Sequence, residues 1–194
     1  MVQERGTVIQ CHRRGGIKLS FFIQASNPRF QYKADLNDNC LSEAIENAFP
    51  MNTENAIMTW NYVSIPLSYK YDLSYMIDDI LKLIHVLRNN SNGNMVIHWL
   101  PDTFRCDWSI EWNEGIMKIC SRWECTVGNL ESILNMRNSV SLSISDFINE
   151  WKGVLEIIVK GLENCGYDKT KINGMENLIT QCENIKNFGI LYLE

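Results

Sequence analysis

The chain has 194 residues, of which 45% are hydrophobic and 21% charged. A chain of this size buries roughly 70% of its unfolded surface on folding, so the composition argues against disorder and no structural metal is needed. Its formal net charge of −5 argues against a general polyanion binder and leaves room for a basic partner.

Taken in order, residues 1–16 read as a flexible basic arm carrying Arg5, Arg13, Arg14 and the Gly15-Gly16 pair, and residues 17–194 as a single α+β domain. Ile17 to Gln24 is rich in β-formers and is expected as a strand, with Phe30 to Ala34 pairing back as a second short one. Asp38 or Asn39 then caps a helix running to Phe49 and stopped by Pro50, with Leu41, Ile45, Ala48 and Phe49 inward and Glu43 and Glu46 outward. Ala56 to Leu67 reads as one extended segment, with Pro66 placing it at an edge or a strand end. Asp72 is expected to cap the next helix, Leu73 to Arg88. Its stripe of Leu73, Met76, Ile77, Ile80, Leu81, Ile84 and Leu87 recurs at steps of three and four. Asn89 to Asn94 turns the chain.

Met95 to Cys125 holds four of the six tryptophans. Cys106, Trp108, Ile110 and Trp112 alternate with Arg105, Asp107, Ser109 and Glu111, the period-2 pattern of a half-buried strand. Pairing Trp112 with Met117 sets Ile110 against Ile119, Cys106 against Trp123, and the opposite charges Glu111–Lys118, Asp107–Arg122 and Arg105–Glu124 on the outer face. A shorter loop closing Trp112 on Ile116 would flip Lys118 and Arg122 onto the tryptophan face, so the pattern favours the first register. Beyond it, Asn129 to Met136 reads as a short helix and Val140 to Leu142 as an extended link. Ser143 and Asp146 then open a long helix that Gly166 stops. Asn173 caps a last helix through Asn187, followed by a terminal Ile190 to Leu193 strand. The fold class is α+β: a largely antiparallel sheet with a central Trp-rich hairpin, covered by several amphipathic helices. The sheet is expected to hold Ile17 to Gln24, Ala56 to Leu67, Met95 to Leu100, Phe104 to Trp112 and Met117 to Cys125.

No stretch reaches the roughly 18 apolar residues that cross a bilayer, and the N-terminus lacks the apolar run of a signal peptide. The seven cysteines, Cys11, Cys40, Cys106, Cys120, Cys125, Cys165 and Cys182, follow no disulfide framework. Reduced thiols and a cytoplasmic location are expected. Cys120 and Cys125 lack the second ligand pair of a zinc site, and no phosphate-binding glycine loop follows a strand, so no metal and no cofactor is expected. His98, Asp102 and Asp107 are the residues a hydrolase or transferase would use, although a Pro101-Asp102-Thr103 turn explains them more simply. Stacking of Trp60, Trp99, Trp108 and Trp112 on single-stranded bases is countered by their alternation with charged residues and by the acidic balance. From Ala34 to Tyr69 there is no Lys or Arg against Asp35, Asp38, Glu43, Glu46 and Glu54, either a solvated helix with its loops or a field that recruits a basic protein surface.

The helix Leu73 to Arg88, the Asn/Gly turn, the Met95 to Cys125 hairpins and the helix opening at Ser143 together resemble the small cytosolic immunity proteins that accompany polymorphic bacterial toxins, including those of contact-dependent growth inhibition. The resemblance spans about Tyr71 to Asp168. It implies a non-enzymatic antitoxin that occludes a cognate toxin C-terminal domain, often a nuclease, and it carries over no site residues. The candidate toxin-binding residues are Glu43, Glu46, Asp107 and Glu111, chosen by charge. No catalytic residues, membrane contact or nucleic-acid partner are expected in this reading. The alternatives are a small hydrolase or transferase using the His98/Asp102 region, and a nucleic-acid-binding or adaptor module.

Overall fold

A computed structural model describes residues 20–185. The expected arm and the terminal Ile190 to Leu193 strand lie outside the described residues. Strand β1 is Phe21–Gln24, with Phe21 and Ile23 buried and Phe22 and Gln24 outward. The second short strand expected at Phe30 to Ala34 does not form. Gln31 N–H donates to the Ala48 carbonyl (2.9 Å) and Ala34 N–H to that of Cys165 (2.8 Å), so helices and not a strand satisfy this backbone. Helix α1 (Leu41–Ala48) starts after Cys40, later than Asp38 or Asn39. Glu43 reaches back to accept from Asn39 N–H at 2.9 Å, while Asp38 accepts from Asn47 at 2.9 Å and from the Tyr167 hydroxyl.

The segment expected as one extended run from Ala56 to Leu67 is a hairpin, β2 (Asn55–Trp60) and β3 (Val63–Ser68). Asn61 and Tyr62 turn it at φ 45° and 70°, the left-handed geometry a two-residue turn requires. No glycine marks it in sequence. The expected cap at Asp72 is also replaced. One π-helical turn, Tyr69–Leu73, precedes α2 (Ser74–Asn89). Asp72 is 1% exposed and accepts from Ser68 N–H (2.7 Å) and from the Thr103 hydroxyl. It ties the start of α2 to the loop following the next strand. The α2 stripe is buried as the periodicity predicts, with Leu83 added, and Asp78, Lys82 and His85 are exposed.

Strands β4 (Asn92–Trp99), β5 (Phe104–Asn113), β6 (Ile116–Thr126) and β7 (Ser139–Ser143) form an antiparallel meander. The predicted register of the central hairpin holds: Trp112 faces Met117, Ile110 faces Ile119, Cys106 faces Trp123, Glu111 faces Lys118 and Asp107 faces Arg122. The ladder runs further than expected, to Asn113–Ile116, and closes over Glu114 and Gly115 at φ 48° and 81°. At the other end a bulge between Arg105 and Cys106 sets Arg105 against Cys125. The expected Arg105–Glu124 pair is therefore replaced: Arg105 bonds Asp102, and Glu124 bonds Arg122 at 2.8 Å.

Instead of one five-stranded sheet, the described residues form two sheets, ordered β1-β2-β3 and β4-β5-β6-β7. Each has one apolar face, and these meet through aromatic rings. Trp60 lies 5.4 Å from Trp108 and 5.6 Å from Trp123, and Phe21 lies 6.2 Å from Trp108. Helix α3 (Glu131–Met136) leads into β7, and α4 (Ile144–Cys165) lies along β1. The Ser143 hydroxyl caps α4 by accepting from Asp146 N–H (3.0 Å), and Gly166 ends it at φ 84°, both as expected. Helix α5 (Met175–Glu183) begins after Gly174, one residue later than the expected Asn173 cap. Its Gln181 side chain accepts from Arg88 at 2.6 Å, docking it on the end of α2.

Candidate functional site

Alternation along β4–β7 separates two faces. Trp99, Trp108, Ile110, Trp112, Met117, Ile119, Trp123 and Val140 are buried, whereas Val96, His98, Ser109, Glu111, Lys118, Arg122 and Ser141 point outward and are exposed. Strand pairing converts these outward residues into rows. One row is Asn94–Glu111–Lys118–Ser141, the next Val96–Ser109–Cys120–Ser139, and the third His98–Asp107–Arg122.

The third row is bonded side chain to side chain. His98 Nδ1 lies 2.6 Å from Asp107 Oδ1, and Arg122 donates to Asp107 Oδ2 at 2.6 Å and to Glu124 at 2.8 Å. The hydrogen bonds from His98 and then Arg122 hold the Asp107 carboxyl below the usual carboxylate range. Asp107 is thus a charge offset by its neighbours. Glu111, on the same face, stands opposite Lys118 without closing to an ion pair. Exposed Val96 (55%) and Leu100 (69%) flank His98 along its strand. The face therefore combines a fixed ionic row with apolar and hydroxyl side chains, the mixture a protein-binding surface uses.

Asp102 does not join His98. It bonds Arg105 and holds the β4–β5 loop, so the His98/Asp102 pairing is replaced by His98/Asp107. Alternation in the sequence places His98 and Asp107 on the same outer face, and the β4–β5 pairing sets them opposite each other. Glu43 and Glu46 sit on α1, exposed and half-buried respectively, on a different element from Asp107 and Glu111. The backbone N–H of Asn39, followed by the Cys40 side chain, holds the Glu43 carboxyl low. Glu54 is paired to Arg29 at 3.2 Å, while Asp35 accepts from Asn37 N–H at 2.9 Å. Much of the acidic segment thus holds its own loops together, and neutral donors leave the charges of Asp35, Asp38 and Glu43 in place.

Cys120 is half-buried on the outer face and Cys125 exposed at the end of β6; the six described cysteines are unpaired. Burial pushes the Cys106 thiol well up, which leaves it a packed, unreactive group. Among the described residues no three His, Cys, Asp or Glu side chains gather in metal-binding geometry. No helix among them is long and apolar enough to cross a membrane. No protein-family model matches the sequence, and comparisons with curated proteins and with solved structures gave no significant match.

Proposed function

We propose that this chain is a binding protein that works by occlusion, docking a partner protein on the outward face of β4–β7, and that the partner is the toxin domain of a toxin–immunity pair. The observation that carries the binding reading is the His98–Asp107–Arg122–Glu124 row. Its side chains are already fixed by one another, so a partner meets them with little ordering cost. The toxin assignment draws on the resemblance of the Tyr71 to Asp168 pattern to immunity proteins. In this reading the acidic α1 segment steers a basic partner into contact, and the sheet face supplies the short-range fit.

The test is co-expression with the protein encoded next to this chain, scored by cell survival and co-purification. Protection and a complex that weakens on Arg122→Ala support the reading; no protection and no complex sink it. Replacing Glu43 and Glu46 by lysine should slow association most at low salt, since charges are screened over about 10 Å at 0.1 M.

One observation favours a second reading. The His98–Asp107 contact of 2.6 Å is the orienting half of a general-base pair. Turnover of a substrate that disappears on His98→Ala, with no complex formed, would assign the chain to the hydrolase or transferase class.

A further inference from the structure

A sheet edge offers unpaired N–H and C=O groups that pair with any extended strand unless they are covered. Three of the four edges here are covered. On β1, the outward N–H of Ile23 donates to Glu150 at 2.9 Å. On β3, Pro66 has no N–H to offer, and the N–H of Ser68 donates to Asp72 at 2.7 Å. On β7, the outward carbonyl of Ser139 accepts from Asn61 at 2.8 Å.

Strand β4 is different. Glu114 N–H donates to the Ser91 carbonyl at 3.1 Å, which places the hydrogen-bonded pairs of the ladder at odd-numbered β4 residues. Asn92, Asn94, Val96 and His98 therefore turn their backbone N–H and C=O away from β5. None of these groups has a partner among the described residues. Over Asn92–Trp99 there is no proline, lysine or arginine, and no bulge interrupts the pairing with β5.

We propose that the β4 edge pairs antiparallel with β4 of a second copy of this chain, joining two four-stranded sheets into one. The self-pairing is electrostatically permitted because β4 carries no Asp, Glu, Lys or Arg, so a twofold axis brings no like charges together. It is also chemically matched. With Val96 on the axis, Val96 meets its own copy, and Asn94 faces His98 of the other chain, an amide opposite an imidazole on the same side of the sheet. The outward faces of both protomers then run on as one surface. The inference stands on the edge geometry and does not rest on the proposed function.

Sedimentation equilibrium of the full chain across the micromolar range tests it. The expected mass is twice the 22.5 kDa of one chain, with amide exchange at Asn94 and Val96 slowed as concentration rises. Val96→Pro removes an edge N–H that has no partner among the described residues, and Val96→Lys sets two cations on the axis at a side chain already 55% exposed. Both should halve the mass without changing the far-ultraviolet spectrum. If proline disturbs the fold, lysine decides. A wild-type chain at single mass throughout, or a folded variant that keeps the double mass, overturns the proposal.

Discussion

Replacing Trp60 and Trp108 by phenylalanine, one at a time, separates ring packing from indole hydrogen bonding. Both rings are fully buried and lie 5.4 Å apart, so the lost ring atoms cost a similar amount at each site. At roughly 0.8 kcal/mol per buried carbon that loss is about 2 kcal/mol. The indole N–H groups differ. Trp60 donates to the Arg137 carbonyl at 2.9 Å, and losing that bond costs about 1 kcal/mol more. The Trp108 N–H is buried with no nitrogen or oxygen acceptor among the described residues, only the weakly accepting Cys106 sulfur beside it, and removing it recovers about 1–3 kcal/mol of desolvation. Trp60→Phe should therefore destabilise by about 3 kcal/mol and Trp108→Phe by about 1 or less. At this chain length the difference corresponds to about 4–8 °C in Tm. Trp108→Ala, which also empties the space against Trp99 (5.2 Å) and Phe21 (6.2 Å), should cost about 3–5 kcal/mol. Urea melts at one pH with unchanged m-values measure all three. Trp108→Phe proving as costly as Trp60→Phe would refute the assignment of bonded and unbonded indoles.

Glu111→Ala should cost well under about 1 kcal/mol in the same melts, because an exposed charge facing Lys118 without contact contributes little. Gly93→Ala should destabilise by about 1–3 kcal/mol: its methyl would sit 2.5 Å from the Trp112 ring, which is itself held by a 3.0 Å bond to the Asn90 carbonyl. Burial pushes the Asp72 carboxyl up, so the native state holds its proton more tightly than the unfolded chain. Its contribution to stability therefore falls as pH rises from the ordinary carboxylate range through the raised value. Asp72→Asn keeps partners for Ser68 and Thr103, and should raise the urea midpoint at pH 7 while leaving it nearly unchanged at acid pH. An equal effect at both would remove burial as the cause. Thiol titration of the unfolded protein without reductant should count all seven cysteines; a lower count would mean that some are oxidised.

Where a single period governed a long segment, the sequence alone was enough. The α2 stripe, the α4 caps at Ser143 and Gly166, and the Trp112–Met117 register each follow from side-chain spacing, since a one-residue slip would put Lys118 and Arg122 among the tryptophans. The outward positions of Asp107 and Glu111 were legible for the same reason.

Other features depended on partners distant in the chain. The turn at Asn61 and Tyr62 carries no glycine; Asn61 is held there by its bonds to the Arg137 and Ser139 carbonyls. Asp72 looked like a helix cap because caps and buried acceptors use the same residue type, and only Thr103, brought over by the β4–β5 loop, decides between them. Arg105 and Glu124 have the right spacing to pair until the bulge shifts one strand. Whether the apolar strands formed one sheet or two was also a tertiary choice. Alternation says which side of a strand is buried, but not against what, and it is the contact of Trp60 with Trp108 and Trp123 that sets two sheets face to face and leaves the β4 edge unpaired among the described residues.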